Sequence, residues 1–326
     1  MHHIVNLDAH VVPHPDLFSS FPHTLTQYTV TPPNLIAERI ADATIVLVTA
    51  VPIGAAVLGP EICPKLQLIA AWGTGTDLID KEACARNGIT VCKVPAQSTE
   101  TVTEHALALY FAVKRKIVSM QGVVKGGGWQ RERVVVATQW EGLPPRTCRE
   151  EICGVIGYGA LGASVERMAK ALGMTVLVAE RKDARTVREG RTAFEKVLEE
   201  CTALIVTCPL DASTRDMISY AELKTMKPTA IIINVARGGV VNEIALADAL
   251  RQREIAGAGI DVFESEPAGP GSSPLLAHDV PNLTLSPHVA WYSSATIKGT
   301  QEVMKANVEG FVSGRSQNVV VEGRPR

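Results

Sequence analysis

Short runs of apolar residues alternate along the chain with longer segments of helical spacing. In the first hundred residues, strand-like runs at Ile4–Leu7, Ile45–Thr49 and Leu66–Ala71 alternate with segments of helical periodicity such as Lys81–Asn87. Strands that helices cover on both faces read as continuous apolar runs. The pattern therefore predicts βαβ units around a parallel sheet in residues 1–99.

The second half of the chain repeats this alternation after a long segment of helical spacing, Glu100–Lys116, which predicts a helix linking the halves. An excursion follows, through GVVKGGGWQ and the proline-containing ATQWEGLPPR, and it carries Trp129 and Trp140. The strands predicted beyond it are Ile152–Ile156, Thr175–Ala179, Ala203–Thr207, Ala230–Val235, Ile255–Ile260 and Leu283–Leu285. The tail Ala295–Gly314 is helical again and is expected to pack back onto the first domain.

These elements and the length of 326 residues predict an α/β protein of two Rossmann-like domains with doubly wound parallel sheets. We expect one domain from residues 1–99 together with 290–326, and the other from residues 100–289. No internal repeat is present to suggest a solenoid.

Composition and charge narrow the class of partner. The chain is 46% hydrophobic and 20% charged, with a mean hydropathy of +0.12, which is typical of a folded globular protein. The formal net charge is −2 and no run of Lys and Arg exceeds three residues, so nucleic acid is not expected as a partner. A small molecule is the expected partner.

The cysteines and the apolar stretches bear on location. Seven cysteines without a C-x-x-C pair, behind an N-terminus that does not resemble a signal peptide, indicate reduced thiols and a cytoplasmic location, with no metal site. The longest uncharged stretch, Ala43–Pro60, is interrupted by Pro52 and Gly54. No membrane span is predicted.

A glycine-rich turn follows the strand ICGVIG and opens the helical segment ASVERMAKALG. The turn is Gly157-Tyr158-Gly159-Ala160-Leu161-Gly162, a G-x-G-x-x-G between a strand and a helix. In this context the first glycine permits the tight turn, the second admits a pyrophosphate and the third allows close packing of helix and strand. The turn predicts a dinucleotide site, although a purely structural turn is the alternative.

The residue at the end of the next strand, Glu180, is placed to accept the ribose hydroxyls of NAD. Arg181, Lys182 and Arg185 come directly after it and could pair instead with the 2′-phosphate of NADP, or form a solvated turn. We expect NAD as the cofactor and leave NADP open.

Three polar side chains follow three later strands. Arg237 follows IIINVA, Glu266 lies near the end of GIDVFESEP, and His288 follows LTLSP. An imidazole can supply the proton that a reduced carbonyl oxygen needs, a carboxylate can orient the imidazole, and a guanidinium can hold a substrate carboxylate. Taken singly, each also suits a structural role, but carboxyl ends of parallel strands share one edge of a sheet, which favours a common site.

The segments NVARGGVVNEIALADAL, AGIDVFESEP and LSPHVAW resemble the signatures of the D-isomer-specific 2-hydroxyacid dehydrogenases, and the resemblance extends from about residue 40 to residue 320. It implies a flavodoxin-like substrate domain, a dinucleotide-binding domain and an active-site cleft between them. It further implies that Arg237 binds and polarises a 2-oxo acid, that His288 is the acid/base, and that Glu266 supports His288.

The same resemblance assigns binding roles to other residues. The loop Ala71–Asp77 resembles the family's substrate loop, so the backbone at Thr74 and Gly75 would hold the substrate carboxylate. Thr103 is implied near the nicotinamide phosphate. The remaining implied cofactor contacts are Cys208 and Pro209 near the adenosine, Val235 and Asp261 near the nicotinamide (Asp261 as acceptor of its carboxamide), and Ala236, His288 and Ala290.

Resemblances to particular members of the family imply a substrate and an oligomeric state. Trp291 and the stretch around Trp140 look more like glycerate dehydrogenases and hydroxypyruvate or glyoxylate reductases than like lactate dehydrogenases, and imply a homodimer built on residues 100–145. A D-lactate-type dehydrogenase stays an alternative, as does an NAD(H)-sensing scaffold similar to the C-terminal-binding-protein corepressors. Asn242 replaces a common acid and is expected to loosen a helix cap, and His105 receives no role beyond packing.

Overall fold

The computed structural model describes residues 1–11, 18, 20–133 and 144–323, and the structural statements below concern these residues. Its strands are β1 His2–Asn6, β2 His23–Gln27, β3 Ile45–Val48, β4 Leu68–Ala71, β5 Thr90–Cys92, β6 Ile152–Ile156, β7 Thr175–Val178, β8 Ala203–Val206, β9 Ile231–Asn234, β10 Gly257–Ile260, β11 Leu283–Leu285 and β12 Val319–Val321. Its α-helices are α1 Ile36–Ile40, α2 Lys81–Arg86, α3 Thr99–Lys114, α4 Ile117–Lys125, α5 Gly128–Glu132, α6 Ala160–Ala171, α7 Phe194–Glu200, α8 Tyr220–Thr225, α9 Glu243–Arg251 and α10 Ser294–Val312.

The chain forms two compact units. One consists of Met1–Gln97 with Ser293–Arg326, and the other of Ser98–Tyr292. The chain therefore leaves the first unit before α3 and returns to it before α10. Each unit is built around its own six-stranded sheet, so the fold is α/β with two Rossmann-like sheets.

The sheet of the first unit has the strand order β12-β5-β4-β3-β1-β2, and its strands β1 to β5 are parallel. The five parallel strands follow the flavodoxin-like order 2-1-3-4-5. Strand β12 pairs antiparallel with β5 at the edge. All residues of β3 and β4 are buried, as their uninterrupted apolar runs predict, whereas the polar edge strand β2 lies outside those runs.

The sheet of the second unit is parallel throughout, with the order β11-β10-β9-β8-β6-β7. An isolated parallel bridge joins Ala179, just after β7, to Thr192. With Thr192 counted as the remnant of a further edge strand, the order becomes 3-2-1-4-5-6-7, which is the 3-2-1-4-5-6 of dinucleotide-binding folds with β11 added at the edge. The order reverses between β6 and β8, so their carboxyl ends border the crevice where such folds bind ligands.

Helix α3, which the sequence predicts, packs on the second sheet through one apolar face. Its residues Val102, Ala106, Leu109, Tyr110 and Val113 are buried. At its end the Lys114 ammonium pairs with the carboxylate of Glu151, which lies fully buried before β6. The ion pair ties the end of the helix to the start of the central strand.

Residues after α3 differ from the sequence-based expectation. The segment containing GVVKGGGWQ forms α4 and α5 rather than an irregular excursion. Since α4 has no buried residue, the unit's own core does not account for this helix. Trp140 lies outside the described residues.

In the part of the chain that the structure describes, no helix has the length and apolar character to cross a membrane. Nor do the described residues bring three His, Cys, Asp or Glu side chains together as a metal site. All seven cysteines are free thiols, and six of them are buried.

Candidate active site in the second unit

The glycine turn lies at the carboxyl end of β6, where the strand order reverses. Gly157 has a φ of +86°, and a Cβ there would come within 2.5 Å of the backbone nitrogen of Cys208. A Cβ on Gly162 would lie 2.1 Å from the carbonyl oxygen of Gly157. Both glycines are therefore required by the protein's own packing.

Gly159 has a different role, because a Cβ there would meet no protein atom within 4 Å and its φ of −91° suits any residue. Helix α6 begins at Ala160, directly after Gly159, and its first-turn N–H groups lack partners within the helix. A Cβ at Gly159 would fill the space where these groups can meet an anion. The turn therefore fits the pyrophosphate of a dinucleotide.

Two residues after β8 border this turn. The single hydrogen of the Thr207 hydroxyl is shared between the carbonyl oxygens of Ile156 (3.0 Å) and Gly157 (2.8 Å). Cys208 is buried against Gly157, and Pro209 is exposed beside it. Cys208 and Pro209 thus border the glycine turn, and the adenosine contact expected of them stays a prediction. The hydrogen bond from Thr207 was not predicted, since a threonine fifty residues away from the turn carries no local signal for this role.

The acid after β7 is already bonded by its own loop. Arg188 donates to the Glu180 carboxylate through Nε (2.8 Å), Nη2 (2.5 Å) and its backbone N–H (3.1 Å). The backbone N–H of Arg181 donates as well, at 2.9 Å. These bonds, led by that of the Arg188 side chain, hold the pKa of Glu180 far below its ordinary value. Arg188 was not among the predicted site residues.

The other basic residues of this loop divide by their contacts. Lys182 Nζ donates to the Glu222 carboxylate (2.8 Å) and the Met217 carbonyl (3.2 Å), so Glu222 neutralises the charge of Lys182 within the unit. Arg181 has an exposed side chain. Arg191 stacks over the ring of Tyr158, the variable residue between the first two glycines, at 4.2 Å from the ring centroid.

Arg237 follows β9 in a turn that a buried asparagine holds. The Asn234 side chain donates to the Arg237 carbonyl (3.0 Å) and accepts from the Ala236 backbone N–H (3.1 Å). A Cβ on Gly238 would lie 1.9 Å from the backbone of Phe263, so this turn packs closely against the loop after β10. The half-buried Arg237 is thereby fixed at the sheet edge, with Val235 and Ala236 buried next to it.

Glu266 and His288 are in direct contact. His288 Nδ1 lies 2.6 Å from Glu266 Oε2, while Glu266 Oε1 accepts the backbone N–H of Phe263 at 2.8 Å. A carboxylate only accepts, so Nδ1 carries the hydrogen and donates it. With Nδ1 engaged, Nε2 is the ring nitrogen that can exchange a proton with a bound molecule.

The backbone of His288 adopts a left-handed conformation, with a φ of +51°, which costs energy in a residue other than glycine. The fully buried Asp261 holds it in place. Its carbonyl oxygen accepts the His288 N–H (2.8 Å), and its carboxylate accepts the N–H groups of Val289 (3.1 Å) and Ala290 (3.0 Å). Trp291 adds a bond from its indole N–H to the His288 carbonyl, at 3.0 Å.

His105 joins this network, although its sequence context suggested packing only. The Ser286 hydroxyl donates to Asp261 Oδ1 (2.6 Å), and His105 Nε2 lies 2.9 Å from the same hydroxyl and 3.4 Å from Asp261 Oδ1. Because the hydroxyl's one hydrogen goes to Asp261, His105 donates from Nε2. Burial acts to raise the pKa of Asp261, but the bonds from His105, Ser286, Ala290 and Val289 outweigh it and lower the pKa.

The other predicted residues are placed as follows. Thr103 is buried on α3, where its hydroxyl donates to the Thr99 carbonyl at 2.7 Å. In the first unit, exposed Thr74 and half-buried Gly75 follow the carboxyl end of β4, and the Thr74 hydroxyl donates to the Val94 carbonyl (3.0 Å). Asn242 caps α9, because its side-chain oxygen accepts the Ala245 N–H at 2.9 Å; a looser cap than an acid would give stays a prediction.

Residues 107–290 match the NAD-binding domain of the D-isomer-specific 2-hydroxyacid dehydrogenases. The chain is 39% identical to glycerate dehydrogenase of Methylorubrum extorquens over 302 residues, which cover 92% of this chain and 93% of the relative. It is 36% identical to glyoxylate reductase of Korarchaeum cryptofilum over 286 residues, 86% of this chain and 83% of the relative.

Solved structures share the fold over the full chain. An NADPH-dependent glyoxylate/hydroxypyruvate reductase from Sinorhizobium meliloti, in complex with NADP and malonate, has a TM-score of 0.81 at 27% identity and covers 100% of this chain and 99% of its own. D-lactate dehydrogenase from Aquifex aeolicus, complexed with NAD and lactic acid, has a TM-score of 0.80 at 25% identity and covers 99% of this chain and 100% of its own.

Proposed function

The chain belongs to the D-isomer-specific 2-hydroxyacid dehydrogenase family, and from this we propose that it reduces a small 2-oxo acid to the D-2-hydroxy acid, with hydroxypyruvate and glyoxylate as favoured substrates. It is an NAD(P)-dependent oxidoreductase. The observation that carries the assignment of residues is the Glu266–His288 hydrogen bond between the loops after β10 and β11, with the His288 loop held by Asp261.

The glycine turn and α6 would hold the pyrophosphate of the cofactor, with Thr103, Cys208, Pro209, Val235, Ala236 and Ala290 around the rest of it. Asp261 Oδ2 accepts one backbone N–H, so it retains capacity for one more donor such as a carboxamide. When bound, NAD(P)H supplies the hydride that reduces C2 of the oxo acid.

The chain's own residues manage the substrate charge and the proton. Arg237 binds the substrate carboxylate and polarises the C2 carbonyl. The resemblance to the family also assigns carboxylate binding to the backbone at Thr74 and Gly75. Protonated His288 donates from Nε2 to the oxygen at C2, which would otherwise become an alkoxide. Glu266 fixes the imidazole by its bond to Nδ1 and stabilises its protonated form during the transfer.

His288→Ala tests this assignment. Loss of a general acid lowers kcat by about 10²–10⁴-fold, while the affinity for NADH or NADPH, measured by fluorescence titration, stays within a factor of about three. His278→Ala, which removes an exposed histidine of the same unit, serves as the matched control and keeps full activity. Near-normal turnover of His288→Ala would refute the role of His288.

The choice of substrate is tested by steady-state kinetics with hydroxypyruvate, glyoxylate, pyruvate and phenylpyruvate. A highest kcat/KM with hydroxypyruvate or glyoxylate supports the proposal, and a highest value with pyruvate supports a D-lactate-type enzyme instead. Binding of NADH without turnover of any oxo acid would favour the NAD(H)-sensing scaffold.

A homodimer through residues 100–145 is also proposed. Within the described part of this region, Ile117, Val118 and Val124 of α4 are 53–57% exposed and Trp129 is 62% exposed. Such a run of exposed apolar side chains on a helix without buried residues is typical of a subunit interface. Trp140, which the resemblance also implicates, is outside the described residues.

The dimer is tested by light scattering at micromolar concentration with Val118→Glu/Val124→Glu, which places charges on α4. The wild type is expected as a dimer and the variant as a monomer. Ile244→Glu, at a position 59% exposed on α9, is the control and stays dimeric. A monomeric wild type would refute the proposal. A cytoplasmic location and the lack of a nucleic-acid partner stay predictions from the sequence.

A further inference from the structure

The acid that would recognise the cofactor's ribose has its acceptor capacity filled. A carboxylate offers about four acceptor positions, two on each oxygen. Oε1 of Glu180 accepts from Arg181 N–H and Arg188 Nη2, and Oε2 accepts from Arg188 Nε and Arg188 N–H. Ribose hydroxyls could bond to this carboxylate only by displacing donors that are already in place.

The displaced contact would be a strong one. Nε and Nη2 of Arg188 meet the two carboxylate oxygens in the bidentate geometry that suits a planar guanidinium. The Glu180 side chain is only 3% exposed, so water screens the pair little on the acid's side. The bond to the Arg188 backbone N–H also fixes the loop from Glu180 to Arg188 around the acid.

The contacts with Glu180 use only part of the hydrogen-bonding capacity of the Arg188 guanidinium. A guanidinium has five N–H groups, and the bonds to Glu180 use one on Nε and one on Nη2. The Arg188 side chain is 58% exposed, so its remaining donors reach solvent. Arg181 adds an exposed guanidinium, whereas Lys182 is held by Glu222.

We propose that Arg188 determines the cofactor preference of this chain. It keeps Glu180 from the ribose hydroxyls of NAD(H), and together with Arg181 it binds the 2′-phosphate of NADP(H). NADP(H) is therefore the more tightly bound cofactor. The inference rests on the proposed function only in taking the glycine turn as the dinucleotide site. It reverses the preference for NAD that an acid at the end of β7 suggests by its position.

Two opposing effects of Arg188 follow from the contacts. The guanidinium neutralises the charge of Glu180, which would otherwise repel a phosphate at the same place. It also supplies donors to that phosphate. Without Arg188 the Glu180 carboxylate can accept from ribose hydroxyls and repels a phosphate. Replacing Arg188 should therefore raise the affinity for NADH and lower the affinity for NADPH.

The experiment is fluorescence titration of the full chain with NADH and with NADPH, without substrate, for the wild type and three variants. The wild type is expected to bind NADPH at least about tenfold more tightly than NADH, the ratio that one charge-assisted hydrogen bond supplies. Arg188→Ala should weaken NADPH binding by at least about tenfold and strengthen NADH binding.

Two further variants distinguish the effect of the Arg188–Glu180 contact from the effect of removing any positive charge from this unit. Arg149→Ala removes an exposed arginine of the same unit that lies outside this loop, and it should change either affinity by less than about fivefold. Glu180→Gln should leave NADH affinity within about threefold, because the acid does not serve the ribose in the wild type.

Each contrary result overturns the inference. Tighter binding of NADH than NADPH by the wild type, a large loss of NADH affinity in Glu180→Gln, or equal losses of NADPH affinity in Arg188→Ala and Arg149→Ala would do so. Failure to bind either dinucleotide would overturn the dinucleotide site and the inference with it. Tight binding of both without turnover of an oxo acid would overturn the proposed reaction and leave the role of Arg188 supported.

Discussion

Asp261→Asn removes the negative charge that holds the His288 loop while leaving the side chain nearly the same size. The wild-type carboxylate is fully buried and accepts from Val289 N–H, Ala290 N–H and the Ser286 hydroxyl. An asparagine has one oxygen and one NH2 group, so at least one backbone N–H would face another donor.

The magnitude follows from these contacts. One buried donor left without an acceptor costs about 1–3 kcal/mol, and the bonds that remain lose their charge assistance, about 1 kcal/mol more. We therefore expect the free energy of unfolding to fall by about 2–4 kcal/mol. We also expect kcat to fall, because an N–H group directly after the left-handed His288, that of Val289 or Ala290, loses the acceptor that holds this turn.

The loss should depend on pH in a defined direction. Because the folded-state pKa of Asp261 is lowered, its contribution to stability is complete above the unfolded-state pKa of about 3.9 and is lost as pH falls through the folded-state pKa. The difference between wild type and variant should accordingly be constant near neutrality and shrink only below about pH 4.

Urea denaturation at pH 7 without cofactor measures the stability, and steady-state kinetics measures kcat. Asp279→Asn makes the same chemical change at an exposed carboxylate paired with Arg251, where the loss should be below about 1 kcal/mol. If Asp261→Asn lost no more stability than this control, the reasoning about the buried carboxylate would be refuted.

Three further predictions concern the second unit and the thiols. Gly157→Ala should destabilise the fold, because its Cβ would clash with the Cys208 backbone, whereas Gly159→Ala should keep the melting temperature and weaken dinucleotide binding; equal melting temperatures for the two variants would contradict this. Lys114→Met should lower the free energy of unfolding by about 3–5 kcal/mol in urea denaturation, because buried Glu151 loses its countercharge, and a loss below 1 kcal/mol would count against it. Burial raises the pKa of the thiols of Cys84, Cys92, Cys153 and Cys201 to about 12. At pH 8 these thiols should therefore react with Ellman's reagent far more slowly in the native protein than in denaturant, and equal rates would refute the burial argument.

Features that depend on neighbouring residues could be predicted from the sequence. Buried parallel strands are continuous apolar runs, so β6 and β11 were predicted with the bounds that the structure shows. The family, the two-sheet fold, the oxidoreductase class and the use of NAD(P) are confirmed. The exposed helix α4 was missed because three consecutive glycines follow it and no buried face marks it.

The sequence by itself determined which residues could do chemistry, because their types and their positions after strands are local properties. Only the tertiary structure decided what those residues touch. His105 and Ser286 are 181 residues apart in the chain and meet because α3 crosses the sheet next to β11. Arg188 is only eight residues from Glu180, yet their contact depends on the path of an irregular loop, for which the sequence carries no periodic signal. A hydrogen bond requires atoms to approach within about 3 Å, and side chains reach that distance only once sheet register and loop conformation are set.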